Sequence, residues 1–218
     1  MSSSKISANT LSLIKEAQQQ SLKAKLARIT GATVSTSKTS IETPKSPVIH
    51  EVFKTVINPP YETSWEEGNV SSSDSDGNFV VNVDAEGSVE AAAAGIIATY
   101  VPPVDGRPVS FLVTATYVFD WLVGPGTGIT LCELGYGVYL NGTGSLVLSG
   151  TETIWDATSG QAAQPNVQYT LPITGSFIGT NAEYAITVGF NVFAQGNAKG
   201  NINGKITNLT LYIENTGN

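Results

Sequence analysis

Apolar spacing, turn chemistry and charge together predict an all-β protein: an antiparallel β-sandwich, jelly-roll-like, of about eight to nine strands, preceded by an N-terminal amphipathic helix or arm. Beyond Pro47 the apolar residues recur with a period of two, in runs separated by clusters of Gly, Pro, Asn and Asp. Charge divides near the same place. Residues 1–54 hold eight of the eleven basic side chains against Glu16, Glu42 and Glu51, a net +5. The remainder holds Arg107, Lys199 and Lys205 against fifteen carboxylates, a net −12. The 218 residues therefore read as a basic arm, 1–45, joined to an acidic β-sandwich domain, 46–218.

In the arm, Leu11, Ile14, Leu22, Leu26 and Ile29 fall within a sector of about 120° at helical spacing, which predicts an amphipathic helix over about residues 10–30. Asn9 or Thr10 is placed to cap its start and Gly31 to end it. Lys23, Lys25 and Arg28 lie in the last turns, where positive charge suits the helix dipole. The hydroxyl-rich stretch that follows, up to Pro44 and Pro47, has the composition of an extended linker.

The strand series begins with Val48 to Ile57, stopped by Asn58-Pro59-Pro60, and continues with Asn78 to Asp84 after the turn at Asp74 to Gly77. Ser88 to Val101 is Ala-rich. Gly95 within the run and the β-branched Ile96, Ile97 and Thr99 favour a strand over a short helix at Val89 to Ala94. Val109 to Val123 alternates, placing Val109, Phe111, Val113, Ala115, Tyr117, Phe119 and Trp121 on one face. Ile129 to Leu140 does the same with Cys132, Leu134, Tyr136, Val138 and Leu140. Asn141-Gly142 then predicts a type I′ hairpin to Ser145 to Trp155. Val167 to Ile178 contains Pro172, which belongs on an edge or at a bulge. Tyr184 to Ala194 and Lys205 to Glu214 complete the series.

Composition excludes several chemistries. His50 is the single imidazole and Cys132 the single thiol, so a Ser/His/Asp or Cys/His nucleophile, a disulfide framework and a multi-cysteine zinc site are all unsupported. No phosphate-cradling Gly-rich motif is present. A two-carboxylate glycoside hydrolase needs only a close acidic pair, for which Asp120 and Glu133 are the candidates inside long strands. Fifteen carboxylates on one domain produce such pairs by chance, and a non-enzymatic protein without a cofactor is expected. Asp74, Asp76 and Asn78 cluster oxygen ligands at a glycine turn, and Asp84, Glu86 and Glu67 could add to them. The Glu that closes an EF-hand loop is missing, and no metal is expected.

Two surfaces offer binding chemistry. Trp65-Glu66-Glu67 and Trp155-Asp156 combine an aromatic ring with carboxylates, as glycan recognition requires, and Tyr61 and Asn166 could extend either patch; the competing use of both tryptophans is to plug the ends of the sandwich. The arm offers Leu11, Ile14, Lys15, Leu22, Lys23, Lys25, Leu26, Arg28 and Ile29 to an acidic protein surface or to another copy of the chain. The expected function is thus structural: assembly or attachment through the arm. A lectin-like carbohydrate-binding module and a capsid-type jelly-roll shell protein are the alternatives. The last follows from layout, since a jelly roll with a basic arm is similar to coat proteins of small icosahedral viruses. Nucleic acid and membrane rank lower as partners, because Arg28 is the arm's one arginine and its apolar stripe lacks Trp and Phe. With no signal peptide and no apolar span, the chain is expected to be soluble and made in the cytosol, then released or built into an extracellular particle.

Overall fold

The computed structural model describes residues 12, 16, 53–61, 63–73, 76–101, 108–124, 126–157, 161–178 and 182–215. Nine strands follow one another: β1 (Phe53–Ile57), β2 (Thr63–Glu67), β3 (Val70–Ser73), β4 (Asn78–Tyr100), β5 (Pro108–Val123), β6 (Ile129–Leu140), β7 (Leu146–Ala157), β8 (Ala162–Ile178) and β9 (Tyr184–Asn215). Ser12 and Glu16 are helical and exposed. The rest of the expected helix over 10–30 lies outside the described residues. So do the arm residues Leu11, Ile14, Lys15, Leu22, Lys23, Lys25, Leu26, Arg28 and Ile29, together with the linker, His50 and Asp74.

All strand pairing is antiparallel. β4 and β9 are long enough to pass through two layers. Their mutual ladder runs from Asn78↔Lys205 to Tyr100↔Tyr184 with a shift between Glu86 and Ser88. Gly87 and Gly196 stand at that shift with φ of 72° and 76°, conformations that glycine adopts without Cβ strain. On one side, the front sheet has the order β2, residues 88–100 of β4, residues 184–195 of β9, β6, β7. On the other, the back sheet has β3, residues 78–86 of β4, residues 197–215 of β9, β5, β8, with β1 beside the end of β9. Counting β4 and β9 as two halves each, the eight main segments run 1-8-3-6 in the back sheet and 2-7-4-5 in the front. That interlocked order is consistent with a jelly roll.

The two layers pack face to face. Phe190 of the front sheet meets Tyr117 at 5.3 Å, Phe119 at 5.8 Å and Phe79 at 6.4 Å between ring centroids, all three from the back sheet. The expected alternation holds in β5, where Phe111, Val113, Ala115, Tyr117, Phe119 and Trp121 are buried; in β6 Cys132, Leu134 and Val138 join the core as expected, with Tyr136 and Leu140 partly buried against it, but Leu131, Glu133 and Tyr139 on the other face are buried as well. β8 pairs with β5 alone, so Pro172 stands on an edge strand.

Two expectations need correction. The separate strands ending at Asp84 and Ala194 each continue into the next one. The Gly- and Asn-rich stretch 195–204 reads as a loop, yet it pairs with both β4 and β5. Its glycines face inward for a packing reason: a Cβ on Gly204 would lie 2.6 Å from Cζ of Phe190, and one on Gly200 2.7 Å from Cγ1 of Val192. The hairpin after β6 exists but is not type I′. The Leu140 amide donates to the Ser145 carbonyl at 2.8 Å, leaving Asn141–Gly144 in the loop. Gly142 and Gly144 take positive φ, and Asn141 does not. Tertiary contact decides it: the Asn141 backbone amide donates to the Glu183 carbonyl at 2.8 Å, and its side-chain amide donates to the Glu183 carboxylate.

Candidate functional site

The middle of the front sheet, where β4, β9 and β6 pair, is buried on both faces, while β7 at its edge is mostly exposed or half-buried. Its inward residues belong to the core, and the residues that alternate with them are also covered: Trp65 on β2, Ala93 and Ile97 on β4, Leu131, Glu133 and Tyr139 on β6, and Ala185, Thr187, Asn191 and Phe193 on β9. Trp65, Ala93, Ile97, Tyr139 and Ala185 form an apolar cluster separate from the main core. Register explains how they come together. Trp65 opposes Gly95, Gly95 opposes Gly189, and Gly189 opposes Gly135, so one rung across four strands is an indole beside three glycines. A Cβ on Gly95 would come within 2.9 Å of Nε1 of Trp65, and one on Gly135 within 2.7 Å of Nδ2 of Asn191. The glycines form a floor on which larger neighbours lie. Polar groups are embedded among them: Thr187 Oγ1 donates to the Gly137 carbonyl at 3.3 Å, and Thr153 Oγ1 donates to Oε1 of Glu133 at 3.4 Å.

The outward face of the back sheet has the opposite character. Asn78, Asn82 and Asp84 of β4 stand beside Lys205, Asn201 and Lys199 of β9. Asn201 donates its side-chain amide to Oδ1 of Asn82, and Lys199 pairs with Asp84 at 2.5 Å between half-exposed groups. Two shallow grooves cross this face, one of about 460 Å³ along Asn82, Leu122 and Asn201 and one of about 210 Å³ along Asp120, Asn166 and Asn203.

The predicted glycan residues do not form a patch. Trp65 is 2% exposed, and pairing of β2 with residues 93–97 sets it beside Gly95, while Glu66 next to it is exposed. Trp155 faces the core, where its ring stacks on Trp121 at 5.0 Å and 30°. The two tryptophans therefore lie on opposite faces of one sheet, and neither offers a ring face as expected. Nothing is described for the Asp156 side chain. Tyr61 is buried and donates to the Ile206 carbonyl at 3.1 Å. Asn166 is exposed on β8 with φ of 54°, its backbone amide donating to Oδ1 of Asp120 at 2.6 Å.

The carboxylate pair is also separated. Asp120 points out of the back sheet and Glu133 out of the front sheet, so both layers of the sandwich, spaced by about 10 Å, stand between them. That exceeds the separation of about 5 to 9.5 Å used in glycoside hydrolysis. Asp76 is exposed, and among the described residues no three His, Cys, Asp or Glu side chains gather as metal ligands. Cys132 is buried in the core, where burial first and the Glu133 carboxylate second push its thiol up to about 12.

Sequence reading missed the outward face of the front sheet. A signal for it was present: 91–98 and 184–194 are nearly continuous apolar runs, and a strand without alternation is one covered on both sides.

No protein-family model matches the chain, and no curated protein sequence matches it. Solved structures overlap it loosely. The lectin UEA-II complexed with galactose aligns at 8% identity and a TM-score of 0.36, over 76% of this chain and 100% of the lectin chain. A structure of the infectious bursal disease virus Gx strain aligns at 11% identity and 0.27, over 84% of this chain and 39% of the viral one. The enzymatically active domain of tailspike protein 4 from bacteriophage CBA120 aligns at 17% identity and 0.25, over 71% of this chain and 19% of the tailspike. Overlaps this loose carry no ligand or activity across to this chain. Among the described residues no helix is long and apolar enough to cross a membrane.

Proposed function

We propose that this chain is a non-enzymatic structural protein, a β-sandwich that assembles or attaches through the outward face of its front sheet and its basic N-terminal arm. One observation carries the reading: a second, separate apolar cluster built on the outside of a sandwich whose core is already complete. A sandwich needs one packed face per sheet. A sheet finished as an interior on its far side is equipped to hold another layer, since secondary-structure layers are stabilised by packing on one another. The finer form of the reading is self-assembly by arm exchange between copies, with a closed shell as its most ordered outcome.

Light scattering tests it. The full-length protein is expected to form oligomers, and removal of residues 1–45 to lower their mass; equal masses for the two would refute assembly through the arm. Closed particles in electron micrographs would support the shell form.

A glycan-binding reading draws support from a different observation, the amide-lined grooves of the back sheet. Asn82, Asn201, Asn203 and Asp120 present the donors and acceptors that sugar hydroxyls use, with half-exposed Leu122 as an apolar contact. Glycan-array binding lost in Asn82→Ala with Asn201→Ala would support it, and silence of the parent protein on a broad array would remove it.

A further inference from the structure

We infer that the outer edge of β7 pairs antiparallel with the β7 of a second copy, joining two front sheets into one. The inference rests on the reading that the chain assembles, and it names a contact that the arm does not supply. Among the described residues, five strands pair on one side only: β1, β2, β3, β7 and β8. Such an edge presents a row of backbone donors and acceptors to any strand that can lie beside it, and proteins blunt it by shortness, charge, proline or bulges. Four of these edges are blunted in that way. β1 and β2 have 5 residues each and β3 has 4. β1 also carries Lys54, and β2 carries Glu66 and Glu67. β8 is long, but it holds Pro165 and Pro172, and Asn166 beside the first has a φ of 54°.

β7 differs from the other four. Its 12 residues contain no Pro, Lys or Arg, and Leu146–Thr151 carry no charge within a stretch, 55–218, of net −12. Two acidic domains can therefore approach along it with little repulsion. Register shifts leave Val147 and Ile154 as extra residues opposite β6, and between them Leu148–Thr153 run as an unbroken ladder against Glu133–Val138. At the start of this edge Leu146 is 53% and Val147 39% exposed, and Ser149 is exposed beyond them. Large apolar side chains so placed gain cover when another strand lies alongside. A second copy fits by its own pattern. A two-fold axis perpendicular to the sheet at Gly150 sets Ser149 opposite the partner's Thr151, and Thr151 opposite the partner's Ser149, hydroxyl pairs that favour antiparallel strands. Both residues share the outward face, beside Gly137 and Gly135 of β6. Glu152 stands on the other face, opposite Leu134. In this register the two Glu152 side chains are about 13 Å apart along the strands, beyond the ~8 Å over which charge is felt at physiological salt. The contact uses the same patch on both copies, so it closes as a dimer and does not propagate into a fibre.

Disulfide trapping in the full-length protein tests the edge. Ser149→Cys and Thr151→Cys are made separately and mixed before mild oxidation; directly opposed residues lie about 4.5–5.5 Å apart at Cα, within disulfide reach. Cys132 is buried and stays out of the reaction. The mixture is expected to give a cross-linked dimer joining position 149 to position 151. A dimer from one variant alone moves the axis by one residue and keeps the edge. No cross-linked dimer from any of these, or an equal yield from Thr174→Cys, exposed on β8, would overturn the inference. In parallel, Leu146→Lys with Val147→Lys should lower the mass seen by light scattering about twofold, with the far-ultraviolet β signal unchanged; an unaltered mass counts against it. The reading it rests on fails separately. Cross-links at β7 in oligomers whose mass does not depend on residues 1–45 keep the edge and remove assembly through the arm. Oligomers that need residues 1–45 and never cross-link at β7 remove the edge and keep the arm.

Discussion

Gly204 and Phe190 show how a single residue pair joins the two sheets. The ring of Phe190 occupies the place where a side chain on Gly204 would stand, and Cβ of Phe119 lies 2.7 Å from the same point. Gly204→Ala is therefore expected to cost about 1–3 kcal/mol by overpacking, and Phe190→Ala about 3–5 kcal/mol by leaving a cavity among Phe79, Tyr117 and Phe119. Urea denaturation measures both; a neutral Gly204→Ala would mean that the sheets can part without loss. Cys132 makes a chemical prediction at the same scale. Its buried thiol should resist an aromatic disulfide reagent in the native protein and react once denatured.

At the scale of elements, the long strands β4 and β9 turn the corner between the sheets at Gly87 and Gly196. A Cβ on Gly87 would touch nothing within 4 Å, so only its φ of 72° constrains the position. Gly87→Ala should then cost about 1–2 kcal/mol from backbone strain alone, and Gly87→Asn less, since Asn tolerates the left-handed region better. Equal losses for the two would point to a role other than conformation. Much of this level was legible in advance. The alternation of β5 and β6 named the core-facing residues correctly, and Pro172 marked an edge. What failed was continuity: Gly and Asn in 195–204 carry turn propensity, and only the packing of Phe190 and Val192 on Gly204 and Gly200 explains why they stay in the ladder.

At the scale of the whole molecule, the buried ionisable groups set an alkaline limit. Burial pushes the Cys132 thiol up to about 12, and burial with the nearby Tyr61 and Tyr169 hydroxyls pushes Tyr117 higher still. A group whose folded value is raised holds its proton longer in the native state, so its contribution is complete below the ordinary thiol and phenol values of about 8.5 and 10 and is lost as pH rises through the folded value. The melting temperature should accordingly be level up to about pH 8.5 and fall from there towards pH 12. A flat profile across that interval would mean that Cys132 and Tyr117 ionise freely in the folded state. Oligomer mass belongs to this scale too, and its dependence on residues 1–45 is the measurement on which the proposed function turns.

The sequence by itself determined the class of the fold, the strand-rich body, the core face of each alternating strand and the division of charge between arm and domain. These are local properties, written in the period of the apolar residues and in composition. The tertiary structure decided which faces are used. Trp65 and Trp155 look alike in sequence, each an indole beside carboxylates. Strand pairing puts one against Gly95 on the outside of the front sheet and the other against Trp121 in the core. Asp120 and Glu133, both acidic residues within strands, are sent to opposite sides of the sandwich for the same reason. Whether a side chain meets solvent, core or a further layer depends on register and on what packs above it, and neither is a property of the residue or its neighbours in the chain.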